Sequence, residues 1–162
     1  ARARRHVEQR RPRFEASRQE HNELARRFMT ATQTGDLDGL EALLAHDVAL
    51  HGDGGGKVRA RAHPLFGRRQ VARRVLSFMQ VVGRIDGFST RPVEVNGRPG
   101  ALGLDGQQRV LFAMSLDIAD GQIQGIRGIV NPDKLRHLGP VSDLLPPPLS
   151  PGRSFEGPGD TE

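Results

Sequence analysis

Three tight turns punctuate residues 93–130, VEVNGRPGALGLDGQQRVLFAMSLDIADGQIQGIRGIV. Asn96-Gly97 is a strong hairpin signal, because the favoured two-residue turn needs positive φ at both central positions. Val93 and Val95 lead into it, and Ala101 to Leu104 return. Asp105-Gly106 turns again into residues 109–118, where Val110, Phe112, Met114, Leu116 and Ile118 alternate with a second face. Asp120-Gly121 makes the third turn, into residues 122–130. About four antiparallel strands therefore follow one another along the chain.

Upstream, the apolar period changes from two to that of a helix. Residues 2–10 read as a helix that Pro12 ends, since the residue before a proline is pushed away from αR. Ser17 and Glu20 form a capping box for the next helix, which runs to about Thr34 with Leu24, Ala25, Phe28, Met29 and Ala31 near helical spacing. Gly35 closes it, and Asp36 caps a second helix striped by Leu37, Leu40, Leu43 and Leu44. A short strand around Val48 and Leu50, a glycine-rich stretch and a second short strand at 58–61 come next. In residues 67–82, Val71, Val75, Phe78, Met79 and Val82 share one face, with Arg68, Arg69, Arg73 and Arg74 mainly off it. Residues 131–135 read as a brief helix. Strands gathered beside a group of helices mean α+β, not a parallel α/β fold. The expected architecture is three helices packed on a strongly curved antiparallel sheet, a cone with a pocket at its open end.

The expected division is a basic helix at 1–16, a globular domain at 17–138 and a disordered tail at 139–162. Six Pro and four Gly stand among the last 24 residues, without periodicity. The 162 residues suit a single domain. With no Cys there are no disulfides, thiol nucleophiles, iron–sulfur clusters or Cys-ligated zinc, which fits a reducing, cytoplasmic compartment. No run approaches the ~20 apolar residues of a membrane span, and the first fifteen residues lack the apolar stretch of a signal peptide. Neither Trp nor Tyr is present, which weakens any site built on aromatic stacking of sugars or bases.

The formal charge is +5, and residues 1–18 account for all of it with seven Arg against Glu8 and Glu15. The other 144 residues hold seventeen bases and seventeen acids. An Arg-dense terminal helix suits contact with nucleic-acid phosphates. A solvated terminus is the plainer alternative in a chain where Arg outnumbers Lys 22 to 2.

Asp53-Gly54-Gly55-Gly56-Lys57 invites a phosphate-loop reading, which fails. Such a loop needs Gly where His51 stands and Ser or Thr where Val58 stands. A dinucleotide fingerprint fails as well, because its third glycine falls on Lys57 or Arg59. What remains is a pliant triglycine loop flanked by two fixed charges, or simply a flexible hairpin. His46, His51 and His63 match no zinc spacing, so no metal and no cofactor are expected. His51, Asp53 and Asp117 could form an acid–base group if the fold converged them in the cone, although their spacing does not require it. No G-x-S-x-G elbow exists.

Taken together, ARRHVEQRRPRFE (3–15), HNELARRF (21–28), HGDGGGKVRA (51–60), VNGRPG (95–100), SLDIADGQIQGIR (115–127) and NPDKLRHL (131–138) carry a resemblance. The chain resembles extracytoplasmic-function sigma factors that end in a SnoaL-like domain, over roughly residues 1–138. The resemblance implies a SnoaL-like, nuclear-transport-factor-2-like cone. It implies that residues 1–16 are the end of sigma region 4 and a linker, with Arg2, Arg4 and Arg5 beside promoter phosphates. The chain would then be a fragment of a longer protein, with region 2 and most of the helix-turn-helix upstream. It further implies a domain that controls promoter recognition and transcription initiation in cis, without catalysis. Its partners would be sigma regions 2 and 4 of the same full-length chain, core RNA polymerase and promoter DNA, with room for a small apolar ligand and no membrane contact. The regulatory contacts map onto Asp53, Gly54, Gly55, Gly56 and Lys57, and onto Asn131, Pro132, Asp133, Lys134 and Leu135. The alternative is a stand-alone SnoaL- or ketosteroid-isomerase-like enzyme, or a small-ligand-binding protein, using His51, Asp53 or Asp117.

Overall fold

The computed structural model describes residues 2–53 and 63–144, with residues 2–15 as backbone alone. The first element is a single helix, α1 (Arg2–Thr34). The expected break at Pro12 and the expected cap at Ser17 are both absent. A proline inside a helix costs about 3 kcal/mol, and the Arg, Gln, Glu and Ala residues around it are good helix formers that carry the helix through. Gly35 takes φ 69°, and Asp36 caps α2 (Leu37–Leu43) by accepting from Gly39 N at 2.9 Å. Chain order continues with β1 (Leu44–Asp53), β2 (Leu65–Phe66), α3 (Arg68–Val82), β3 (Ser89–Val95), β4 (Arg98–Leu104), β5 (Val110–Ala119), β6 (Gln122–Ile129) and a one-turn α4 (Pro132–Leu135). The short strand expected at 58–61 lies outside the described residues; the partner of β1 at its free edge is β2, with Leu50 opposite Leu65.

The six strands form one sheet in the order β2-β1-β6-β5-β4-β3. The sheet is mixed, not purely antiparallel, because β1 and β6 run parallel with Asp53 opposite Ile129. The reason is topological: β3 to β6 are joined by tight turns, and the last of them returns alongside the first strand of the chain in the same direction. Two turns are of the kind read from the sequence. Asn96 and Gly97 have φ 51° and 75°, and Asp120 and Gly121 have φ 53° and 71°. Register shifts interrupt the pairing within β1, between β4 and β5, and between β5 and β6. Such irregularities bend a sheet and increase its twist.

Two apolar clusters lie on the sheet's two faces. The larger one packs Phe28 of α1, Leu40 of α2, and Val75 and Phe78 of α3 against Leu50, Phe112 and Ile126. The smaller one gathers Leu102, Leu104, Val110 and Ala113 beneath Leu135, with Leu138 and Val141 against them. Residues 139–144 therefore depart from the expected disordered tail. Val110 N donates to Pro140 O at 2.7 Å, Ser142 N donates to Val110 O at 2.9 Å, and Val141 bridges Val110. A Pro- and Gly-rich composition does not prevent a short segment from docking on an apolar face that supplies backbone partners. The rest of the expected tail, 145–162, lies outside the described residues.

No described helix is long and apolar enough to cross a membrane.

Candidate functional site

The two motifs singled out in the sequence meet at one corner of the sheet. Asp53 is the last residue of β1, and Val130 N donates to its carbonyl at 3.0 Å. The chain then turns at Asn131, whose side chain accepts from Asp133 N at 3.0 Å and so caps α4. Pro132 occupies the first helical position, where an N–H has no helical partner to lose. Leu135, 1% exposed, anchors the turn in the smaller cluster. That geometry brings the Lys134 ammonium onto the Asp53 carboxylate, to which it donates. Asp133 lies 3.4 Å from Arg136.

Magnitudes separate what builds this corner from what it displays. The cap, the backbone bonds and the buried leucine hold the turn in place. The Asp53–Lys134 pair is 35% and 59% exposed, and an exposed pair is worth about 0–1 kcal/mol. Its two charges can therefore be exchanged for those of a partner at little cost to the fold. Gly54, Gly55, Gly56 and Lys57 follow directly on Asp53 but lie outside the described residues. Arg2, Arg4 and Arg5 fall in the first turns of α1, with only their backbone described.

His51, Asp53 and Asp117 do not converge in the cone. Their neighbours Leu50 and Leu116 point into the helical core, and alternation puts these three on the opposite face. His51 is exposed and pairs across to Arg127. Asp117 sits 2.8 Å from Arg98 and 3.7 Å from Arg127. It lies two strands away from His51, about 10 Å at ordinary strand spacing. The void inside the cone, bordered by Phe28, Met29, Met114 and Leu116, is about 10 Å³. That is the lower limit for one water molecule, so among the described residues this void is too small for a ligand. Among the described residues, none of the three lines this void, the cleft beside Pro132 and Ser142 or the cleft beside His21 and Asp120. Among the described residues, no group of three His, Asp or Glu side chains could hold a metal.

One buried polar centre escaped the sequence reading. Asp105, 2% exposed, accepts from Ser142 Oγ at 2.6 Å, from Gln107 N and Arg109 N at 2.9 Å each, and from Arg109 Nε at 3.0 Å. Arg109 also reaches Asp143 at 2.7 Å. The Ser142 hydroxyl leads in holding the Asp105 carboxyl down from 3.8 to about 2; burial opposes it, and the Arg109 and Gln107 bonds add to the lowering. A depressed carboxyl stabilises the fold above its ordinary pKa, and that contribution is lost as pH falls from about 4 to about 2. Ser142→Ala is expected to lower Tm by about 3–6 °C at pH 7 and to narrow the difference in Tm between pH 7 and pH 3. An unchanged acid profile in thermal melts would exclude the Asp105–Ser142 bond as its source. No linear pattern signals this centre, because its two ends lie 37 positions apart.

The comparisons with known proteins bear on this geometry. No family model matches the chain. The ECF RNA polymerase sigma factor SigJ of Mycobacterium tuberculosis (strain ATCC 25618 / H37Rv) is 31% identical over 139 residues, covering 82% of this chain and 44% of that protein. The crystal structure of Mycobacterium tuberculosis SigJ superposes with TM-score 0.57 and 32% identity, over 71% of this chain and 43% of that one. This chain thus spans less than half the length of the sigma factor that it matches. At the level of fold alone, an uncharacterized protein with a cystatin-like fold from Silicibacter pomeroyi superposes with TM-score 0.51 and 22% identity, over 74% of this chain and 84% of that one. A steroid delta-isomerase from Pseudomonas aeruginosa does so with TM-score 0.50 and 19% identity, over 74% and 85%.

Proposed function

The chain is a homologue of an extracytoplasmic-function RNA polymerase sigma factor and carries the cone-shaped SnoaL-like fold, and from that premise we propose that it is the regulatory part of such a factor, acting in cis on promoter recognition and transcription initiation. The observation that carries the reading is the Asp53–Lys134 corner. It joins the start of the Asp53–Lys57 loop to the Asn131–Leu135 turn, two stretches that lie far apart in sequence. A rigid turn beside the end of β1, with a weakly held charge pair between them, is suited to a two-state dock. In one state the two charges satisfy each other. In the other they engage the neighbouring sigma segment, and the balance sets how open the sigma arrangement is.

In this reading residues 1–16 are the end of region 4 and a linker, with Arg2, Arg4 and Arg5 beside promoter phosphates. Residues 17–138 are the regulatory domain, sigma regions 2 and 4 of the same full-length protein are its partners, and RNA polymerase is reached through them. A sigma-factor relationship points to a regulator more than to an enzyme, and the dispersed placement of His51, Asp53 and Asp117 supports that direction.

Gly55→Val in the full-length protein is expected to alter output from its promoter in a reporter assay while leaving the thermal melt of the isolated chain within about 2 °C. A β-branched side chain narrows the backbone conformations that a glycine position allows. Versions ending before Asn131 and before His21 should each differ from the intact protein. Unchanged output in all three would remove the proposal.

A further inference from the structure

We propose that the outward stripe of α3 is a second phosphate-contacting surface, one that lays Arg73 and Arg84 against the backbone of duplex DNA. The charge balance outside the terminal helix hides a separation. Residues 54–85 contain one Lys, seven Arg and no Asp or Glu, while residues 19–53 and 86–162 hold nine bases against seventeen acids. The neutral domain is thus a cationic segment set in an anionic remainder.

The helix sorts that segment into two faces. Val71, Val75, Phe78, Met79 and Val82 are buried, and Arg69, Arg73, Gln80 and Arg84 are exposed. The exposed positions step by four, seven and four residues, which keeps them on one line along the helix. Arg84 belongs to the turn that prolongs the helix, its N–H donating to Val81 O at 3.2 Å. The neighbouring arginines are engaged: Arg68 donates to Leu44 O at 2.9 Å, and Arg69 lies 3.7 Å from Glu41. Arg73 and Arg84 have no ion-pair partner among the described residues.

About 16 Å of helix axis separates those two arginines. Duplex DNA presents about ten phosphate charges over that length, counting both strands. Guanidinium groups suit phosphate because their paired N–H donors match its oxygens. The stripe carries no aromatic side chain and lies on a surface helix, so it would read the backbone and not the sequence. Choosing DNA over an acidic protein rests on the sigma-factor reading above.

The test is fluorescence anisotropy of a labelled duplex of arbitrary sequence, titrated with the 162-residue chain over a salt series. The Arg73→Gln/Arg84→Gln variant should bind roughly tenfold or more weakly at low salt. Its slope of log K against log salt should fall by about 2, near 0.9 for each lost contact. Its melting temperature should hold, because both side chains face solvent. The Arg2→Gln/Arg4→Gln/Arg5→Gln variant, made in parallel, should lower the slope further when the two sets are combined. Equal affinity and slope in parent and Arg73/Arg84 variant would overturn the proposal, as would no duplex binding by the parent at low salt. No promoter, upstream sigma region or reporter enters the assay, so its failure is separate from failure of the regulatory reading.

Discussion

Phe112→Ala is expected to remove about 3–5 kcal/mol of stability. Phe112 is 1% exposed and sits where the three helices meet the sheet. Its ring stands edge-on to Phe78, with centroids 4.9 Å apart at 79°, and stacks at 6.3 Å on Phe88. It also lies over Gly103 of β4, where any Cβ would run into the ring. Truncation would leave a hole that the sheet cannot close, because its backbone is fixed by β4 and β6 on either side of β5. Domains of this size are stable by only about 5–15 kcal/mol, so the variant should unfold at a much lower urea midpoint with an unchanged m-value. The result bears on function as well as on packing. Were the cone an open ligand chamber, truncation would enlarge an existing space and cost little beyond the transfer term, about 1.5–3 kcal/mol. A loss that small in urea titrations would contradict a side-chain-filled interior.

Lys134→Glu should do the reverse, changing function strongly and stability little. The substitution places two carboxylates together at Asp53, but both positions are substantially exposed and the pair is worth about 0–1 kcal/mol. The Asn131 cap, the Val130–Asp53 backbone bond and buried Leu135 remain intact. If the corner is the face that meets the sigma segment, reversing its cation should shift promoter output by roughly fivefold or more, the usual range of a coupling free energy between sites. A reporter measurement beside a thermal melt separates the two effects. A large drop in melting temperature with proportionate loss of output would reduce Lys134 to a structural residue.

The sheet was the part of the fold most open to sequence reading. Asn96-Gly97 and Asp120-Gly121 adopt the positive φ values that their residue types permit at low cost, and Phe112, Met114 and Leu116 share the helical face as their alternation implies, whereas Val110 and Ala113 are buried on the other face, so β5 is covered on both sides. Local chemistry determines the turns and the alternation. The parallel pairing of β1 with β6 was not readable, because it depends on where a strand arrives after the whole chain has folded. The continuity of α1 through Pro12 is hidden for a different reason: the local signal of one proline is strong, whereas the favourable residues that outweigh it act only in sum. The docking of residues 139–144 is not legible in their composition, which says nothing of a distant acceptor, and it is Asp105 that holds Ser142. At the candidate site, the sequence identified both motifs but contained no sign that Asp53 and Lys134 would meet. For His51, Asp53 and Asp117 the reverse applied. Residue type suggested chemistry, and strand parity sent them to the outer face.

The Asp53–Lys134 corner is proposed to act on an attached partner and not merely on its own fold. Exchanging the two residues, Asp53→Lys with Lys134→Asp, distinguishes those roles, since the exchange restores the internal ion pair while inverting the charges shown to anything outside. Promoter output of the full-length protein should stay roughly fivefold or more from the parent value in the exchanged variant, with its melting temperature back within about 2 °C. Output returning to the parent value together with stability would contradict the claim, because a pair that works equally well in either orientation has no external partner to recognise.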